Sequence, residues 1–257
     1  MARNTGKKVR RRERRRKRGF ATWSIGKKIG AVLGGTLLGV VVIGSVILAS
    51  KMNKLSSVKL DTDKLNISDE VKHEKGYTNV ALFGLDSREN DLGKGNRSDT
   101  IIIASLNNDT KEVKLVSIYR DTLLELDDGS YNKANSAYSF GGPEGAVSLI
   151  NRNLDMNIEK YVTVNFNALV DVIDAVGGLD LELTHDEVVH MNNYCVETSK
   201  VTGKSYEKIE PEVEGTYHLN GVQAVSYSRI RYTEGGDFKR AERQRLVLQK
   251  IADKAQT

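Results

Sequence analysis

The hydrophobic positions along the chain form one long uninterrupted run, followed by many short ones. The long run, Ile29–Ser50, contains no charged side chain, and about 20 apolar residues are enough to cross a bilayer. From Asn79 onward, short β-branched runs alternate with segments of helical spacing. These two periodicities predict strands and helices, respectively. The chain is therefore predicted to carry one membrane-spanning helix followed by one α/β domain.

The short runs predict strands and helices in a mixed order. The predicted strands are Val80–Leu85, Thr100–Leu106, Val113–Ile118, Tyr161–Val164 and Leu179–Leu183. The predicted helices are Pro143–Asn153, Asn167–Val176, Asn220–Ser228 and Phe238–Ala255. A turn-forming cluster between the second and third strands predicts a hairpin, and the polar segment Thr184–Thr216 is expected to be an irregular surface excursion. We expect a mixed central sheet flanked by helices on both faces, an α/β/α architecture.

Charge separates the two ends of the chain. The net charge is +5, but thirteen of the 39 basic residues and only one of the 34 acidic residues precede position 51, which leaves residues 51–257 at −7. Basic residues stay on the cytoplasmic side of a membrane span. We therefore expect a cytoplasmic tail (1–28), a transmembrane helix (29–50), a polar stalk (51–78) and an extracellular catalytic domain (79–257), in a single-pass cell-membrane protein.

Two other interpretations of the N-terminal region are less favoured. A cleaved signal peptide would have a shorter apolar run and a small-x-small cleavage site, which Leu48-Ala-Ser50 does not provide. Nucleic-acid binding by the tail is the second alternative, but orientation in the membrane and attraction to anionic lipid explain the same basic residues. No nucleic-acid partner is expected.

Arginines are concentrated near the end of this acidic domain. Five of the nine arginines after position 51 lie between residues 229 and 245: Arg229, Arg231, Arg240, Arg243 and Arg245. The planar guanidinium suits bidentate phosphate binding, so the cluster suggests an anion site, with Gln244 beside it. On an extended segment Arg229 and Arg231 would point to one face. A solvated helix face with i,i+4 salt bridges is the alternative interpretation.

A second group of charged residues lies at the ends of the first three predicted strands. Asp86 follows strand one, Arg97 and Asp99 open strand two, and Arg120 closes strand three. Because strands two and three are antiparallel, Arg97 and Asp99 are expected near Arg120. Asp86 and Asp99 are candidate ligands for Mg²⁺, which prefers oxygen ligands and often binds with substrate phosphates. The combination suggests phosphoryl transfer, while turn and cap roles for Asp99 and Asp121 are the alternative.

The order of these motifs resembles the LytR–CpsA–Psr family between Asn79 and Lys254. Seven segments carry the resemblance: LFGLDSR, RSDT, SIYRDT, NKANSAYSFGG, DAVGGLDLEL, LNGVQAVSYSRIR and GDFKRAERQ. The chain departs from the family pattern at Tyr119, where proline usually precedes Arg-Asp-Thr, and at Arg245, where the family usually has glutamine.

The resemblance implies an α/β/α fold and a Mg²⁺-dependent (or Mn²⁺-dependent) phosphotransferase. Its donor would be a glycopolymer, such as wall teichoic acid or capsular polysaccharide, linked to undecaprenyl pyrophosphate, and its acceptor would be peptidoglycan. By this resemblance Asp86 and Asp99 bind the metal, and both are catalytic with Arg120. The implied pyrophosphate-binding residues are Arg97, Arg120, Arg229, Arg231, Arg240 and Gln244. The lipid tail would occupy an apolar pocket between sheet and helices.

Two further functions use the same residues. A non-enzymatic membrane regulator, such as a transcription attenuator or a lipid-pyrophosphate sensor, would bind the carrier without transferring the polymer. A hydrolytic pyrophosphatase would replace the sugar hydroxyl with water.

Overall fold

The computed structural model describes residues 58–71, 76–87 and 91–255. Residues from Lys59 onward form one compact unit. The predicted tail and the predicted membrane-spanning helix at 29–50 lie outside the described residues. Among the helices that are described, none is both long and apolar enough to span a bilayer.

A four-stranded mixed sheet organises the domain. Its strands are β1 (Tyr77–Leu85), β2 (Ser98–Asn107), β3 (Val113–Ser117) and β6 (Lys160–Val164), in the order β3-β2-β1-β6. β1 pairs with β2 and β2 with β3 in antiparallel fashion, whereas β6 runs parallel to β1. The predicted hairpin between the second and third strands is thus confirmed.

Two small antiparallel ribbons and five helices complete the described fold. The ribbons pair β4 (Leu123–Glu125) with β5 (Tyr131–Lys133), and β7 (Leu179–Leu183) with β8 (Gly215–Leu219). The helices are α1 (Ala134–Leu154), α2 (Phe166–Ala175), α3 (His185–Thr202), α4 (Gly221–Arg229) and α5 (Gly236–Ala255). The central sheet flanked by helices matches the predicted fold class.

Helix α1 contains a break that explains part of the sequence prediction. Gly142 has φ 67° and ψ −156° inside α1, a conformation that glycine adopts readily. Pro143 then begins the second segment, where its missing N–H leaves no hydrogen bond unmade. The helix that was predicted to start at Pro143 therefore corresponds to the second segment of α1. The first segment, from Ala134, was missed because its small polar residues give no apolar stripe.

One hydrophobic core lies between α1 and one face of the sheet. Phe83, Ile101 and Tyr138 are buried there, and the rings of Phe83 and Tyr138 meet edge to face at 5.3 Å. Leu65 is fully buried in the same core, and its carbonyl accepts a hydrogen bond from Asn151. Part of the predicted stalk, residues 51–78, is therefore packed against the domain from Lys59 onward.

A second core joins helices α2 to α5 and the β7–β8 ribbon. Helix α3 lies in this core, so the expectation of an irregular excursion over Thr184–Thr216 was wrong. Val188, Met191 and Cys195 are buried at helical spacing. Thr184 and Glu187 form a capping box at the start of α3, a motif that stabilises a helix N-terminus. The many polar residues between these apolar positions concealed the pattern.

Candidate anion-binding site

Three arginines and two aspartates from four parts of the chain meet beside the central sheet; we call them the arginine cluster. Asp99 lies on β2, Arg120 in the turn after β3, and Arg231 two residues after α4. Asp237 and Arg240 lie in the first turns of α5. Asp99 and Arg120 come from one hairpin, and Arg231, Asp237 and Arg240 from the α4–α5 region more than 100 positions later, so the cluster exists only in the folded domain.

Asp99 is the centre of the cluster. Its Oδ2 atom lies 2.8 Å from Nη1 of Arg120 and 3.3 Å from Nη2 of Arg231. Its main-chain carbonyl accepts a 2.6 Å hydrogen bond from Nη2 of Arg240. The predicted proximity of Asp99 and Arg120 is therefore present in the structure.

Asp237 holds the same three arginines from the other side. Its carboxylate oxygens lie 3.4 Å from Arg240 and 3.7 Å from both Arg120 and Arg231. The sequence analysis did not select Asp237, although it stands three residues before Arg240, a spacing that places two side chains on one helix face. That spacing was the available signal.

The cluster has more positive charge and more donor capacity than its own residues satisfy. With Asp121, which pairs with Arg120 at 3.4 Å and with Lys133 at 2.6 Å, four cationic groups face three carboxylates. The Nε atoms of Arg120 and Arg240 are buried without a hydrogen-bond partner in the described part of the chain. Buried donors are almost always satisfied in native proteins. Burial, followed by the charge of Arg231, lowers the pKa of Arg240 from its usual value. An anionic ligand would relieve both conditions.

The cluster borders a shallow pocket that opens to solvent. Asp99, Arg120, Asp237 and Arg240 line it together with Gln244. Its enclosed space is about 10 Å³, room for about one water-sized group, so the pocket is a shallow indentation lined by charged and polar side chains. The pocket therefore brings four of the predicted site residues together: Asp99, Arg120, Arg240 and Gln244.

Asp86 and Arg97 lie at the same end of the sheet, but outside the ion pairs of the cluster. Leu85 pairs with Ser98 across the antiparallel strands β1 and β2, and Asp99 is the extra residue at the irregularity beside this pair, so Asp86 continues toward Arg97 and away from Asp99. Both Asp86 and Arg97 are exposed. Among the described residues, no group of three or more His, Cys, Asp or Glu side chains is arranged to hold a metal ion.

The position of Arg229 in the structure differs from the position that the sequence predicted. It is the last residue of helix α4, so the extended segment that would align it with Arg231 does not exist. Its guanidinium pairs with Glu197 at 2.8 Å, donates to Thr198, and lies over the Phe166 ring at 4.4 Å. Its assignment to the pyrophosphate remains a prediction.

The other two arginines of α5 also have partners in the protein. Arg245 donates a 2.7 Å hydrogen bond to Ser117 on β3, which fastens α5 to the sheet. Arg243 is 3% exposed and pairs with Glu187 of α3 at 2.8 Å. It also donates to the Ile230 carbonyl and to Thr233. These bonds fix both sides of the segment that carries Arg231.

The alternative interpretation of the arginines as a solvated helix face does not fit. Arg240 and Arg243 are both buried, and apart from Asp237 their partners lie on other parts of the chain.

Comparison with known proteins agrees with the motif order. The LytR_cpsA_psr family matches residues 42–257. The chain is 35% identical over 242 residues to a protein of Bacillus cereus (strain AH820) named polyisoprenyl-teichoic acid–peptidoglycan teichoic acid transferase TagU, covering 90% of this chain and 70% of that protein.

Solved structures give the same result. A structure described as TagT bound to LIIa-WTA is 26% identical, with a TM-score of 0.62, and the match covers 78% of this chain and 72% of that one. TagT (YwtF) with bound octaprenyl pyrophosphate lipid is also 26% identical, with a TM-score of 0.59 and coverage of 78% and 74%. This chain belongs to the LytR–CpsA–Psr family.

Proposed function

We propose that this protein transfers a glycopolymer from a polyprenyl pyrophosphate carrier to peptidoglycan. The observation that carries the proposal is the arginine cluster, with its surplus positive charge and its two buried Nε–H donors. The name of the Bacillus cereus relative and the polyprenyl pyrophosphate bound to TagT support the same chemistry. Teichoic acid is the polymer that the relative's name favours; capsular polysaccharide is the alternative.

In the proposed reaction, a sugar hydroxyl of the acceptor attacks the phosphorus atom that bears the glycopolymer. A phosphodiester bond forms, the bond to the second phosphate breaks, and polyprenyl phosphate leaves. Arg120, Arg231 and Arg240 stabilise the negative charge that develops on the phosphate oxygens. Such fixed donors act strongly because little solvent reorganisation accompanies the reaction.

The hydroxyl proton must pass to a base, for which Asp86 and Asp99 are the candidates. Two arginines hold Oδ2 of Asp99, so this oxygen is already engaged in ion pairs. None of the described ion pairs involves Asp86, and its side chain is exposed. Asp86 is therefore our preferred base.

A divalent cation fits the donor set at this end of the sheet. Asp86, just after β1, and Asp99, at the start of β2, offer the oxygen ligands that Mg²⁺ and Mn²⁺ take. Mg²⁺ commonly binds through one or two carboxylates and completes its shell with water and substrate phosphates. When bound, the metal would neutralise phosphate charge, while the arginines retain their own contacts.

The polyprenyl chain fits the sheet face that leads away from the pocket. Directly paired residues of adjacent strands share a face, which puts Leu82, Ile102 and Val162 in one row. Ile102 is fully buried, whereas Val162 is 50% exposed. Thr100 and Ser117, which line the pocket, belong to the same face. An isoprenoid chain on this row would bury the apolar surface that remains exposed.

The decisive experiment supplies the full-length protein, in detergent, with a short lipid-pyrophosphate-linked saccharide, Mg²⁺ and peptidoglycan oligomers. We expect a phosphodiester-linked product that is absent with EDTA or with Arg120→Ala. Arg152→Ala is the matched control, because Arg152 is similarly exposed (29% against 20%) and pairs with Glu125 outside the cluster. Tight lipid binding without product, where a related transferase is active, would refute the transferase and favour the sensor.

A further inference from the structure

Two exposed aromatic rings lie at the edge of the arginine cluster; we call them the ring pair. Tyr119 precedes Arg120 and lines the same pocket, and Phe238 follows Asp237 at the start of α5. Their ring centroids are 4.6 Å apart with an interplanar angle of 68°. Each ring is thus held by an element that also supplies a charged residue to the cluster.

The ring pair remains accessible although it is well positioned. Phe238 is 65% exposed and Tyr119 is 37% exposed. The turn that carries Tyr119 is closed by a 2.9 Å hydrogen bond from the Thr122 N–H to the Tyr119 carbonyl. An edge-to-face pair of this kind leaves a ring face open and forms a corner between two aromatic surfaces.

Charged groups that can contact hydroxyls surround this corner. Asp121 pairs with Lys133 at 2.6 Å and with Arg120 at 3.4 Å. The Asp121 carboxylate and the Lys133 ammonium are about half exposed, as an acceptor and a donor for polar ligand groups. The corner is therefore apolar at its centre and polar at its rim, which matches one face of a pyranose ring with its axial C–H groups and peripheral hydroxyls.

We propose that the ring pair is a saccharide subsite that holds a pyranose unit beside the transferred phosphate. The inference rests on the proposed transferase function for the identity of that sugar, which belongs to the peptidoglycan acceptor or to the glycopolymer donor. An isoprenoid chain is the less suitable occupant, because the row Leu82, Ile102 and Val162 offers it a continuous apolar surface. The corner consists of two rings whose chain neighbours, Arg120 and Asp237, are charged and paired with each other.

The first test measures binding alone, by saturation-transfer difference NMR with the full-length protein and a β-1,4-linked N-acetylglucosamine tetramer. We expect strong saturation of the axial ring protons, reduced roughly three- to tenfold in Phe238→Leu and Tyr119→Leu, since an aromatic contact of this size corresponds to such a factor. Tyr119→Phe keeps the ring and should keep the signal. Phe140→Leu is the matched control, because Phe140 is also helical and 63% exposed.

The second test assigns the sugar by kinetics. A raised KM for the glycan acceptor in Phe238→Leu identifies the acceptor, and a raised KM for the lipid-linked saccharide identifies the donor. Unchanged NMR signals and unchanged KM values in both Leu variants would overturn the proposal. A lipid contact at the ring pair would also overturn the proposal. It would be shown if polyprenyl phosphate displaced the tetramer and bound the Phe238→Leu variant more weakly than the wild-type protein. The NMR test does not depend on transfer. If the wild-type protein bound the tetramer but made no product, the result would refute the proposed transferase function and not the saccharide subsite.

Discussion

Arg240 and Arg243 lie one helical turn apart on α5, yet their surroundings differ fundamentally. All three guanidinium nitrogens of Arg243 are used: Nε by Glu187, Nη1 by the Ile230 carbonyl and Nη2 by Thr233. Arg240 shares Asp99 and Asp237 with two other arginines, and its Nε has no hydrogen-bond partner among the described residues. Both side chains are almost fully buried, so burial does not distinguish them.

The difference shows how to separate structural arginines from binding arginines. An arginine whose donors are all satisfied by protein stabilises the fold, since removing it leaves a buried carboxylate without a partner. An arginine with unused donors and like-charged neighbours is held in an unfavourable state that an anion would relieve. This distinction leads to four predictions, ordered by the size of the expected effect.

Arg243→Ala should lower the free energy of unfolding by about 3–5 kcal/mol, because it leaves Glu187 buried and unpaired. Chemical denaturation followed by circular dichroism would measure the loss. The double variant Arg243→Met with Glu187→Leu should recover most of it, since no uncompensated charge remains. A loss below about 1 kcal/mol would show that the pair is not structural.

Arg231→Ala should reduce transfer about 10²–10³-fold, the usual cost of removing one preorganised donor to a developing negative charge. Its side chain is 37% exposed, so unfolding should be nearly unchanged. Single-turnover kinetics with the lipid-linked saccharide would measure the effect. If transfer persisted at the wild-type rate, the cluster would not be the reacting site.

Asp237→Asn should tighten the binding of inorganic pyrophosphate roughly three- to tenfold, because one negative charge that competes with the ligand is removed. Isothermal titration calorimetry with Mg²⁺-free pyrophosphate would test this, and Asp171→Asn, which lies in a separate ion pair with Lys204, is the control. Weaker pyrophosphate binding in the Asp237→Asn variant would mean that the main effect of Asp237 is to orient the arginines, and not to compete with the ligand for them.

Arg229→Ala should have the smallest effect on transfer. Its observed contacts are with Glu197, Thr198 and the Phe166 ring, so we expect a stability loss of about 1–2 kcal/mol. Transfer should stay within about threefold of wild type. A 100-fold loss of transfer would instead place Arg229 in the pyrophosphate site, as the sequence motif predicts.

Local sequence patterns predicted much of the fold. The first three strands, the hairpin between the second and third, and the helix from Asn220 were predicted from β-branched runs, turn residues and helical spacing. The structure adds a capping box between Asn220 and Gln223 at the start of that helix. Helix α3 was missed although its capping box and its buried positions Val188, Met191 and Cys195 are regular. Its polar residues reduced the apparent hydrophobicity, whereas the buried positions alone decide whether a helix packs.

The candidate site was predicted as a set of residues, but its membership depends on contacts between distant segments. The antiparallel hairpin sufficed to predict the pair Asp99–Arg120, because register follows from local pairing. The only local signal for Asp237 was its spacing from Arg240. The Asp237–Arg120 and Tyr119–Phe238 contacts had none, since each joins residues more than 100 positions apart.

The sequence by itself determined most of the strands and helices, the acidic character of the domain and the motif order that identifies the family, because propensity, charge and motif spacing are properties of neighbouring residues. The tertiary structure decided which arginines share Asp99, which one is neutralised by Glu187, and where two aromatic rings remain open to solvent. Those outcomes depend on how α5 crosses β3 and α3, and the energies of burial and charge pairing arise only when these elements are brought together.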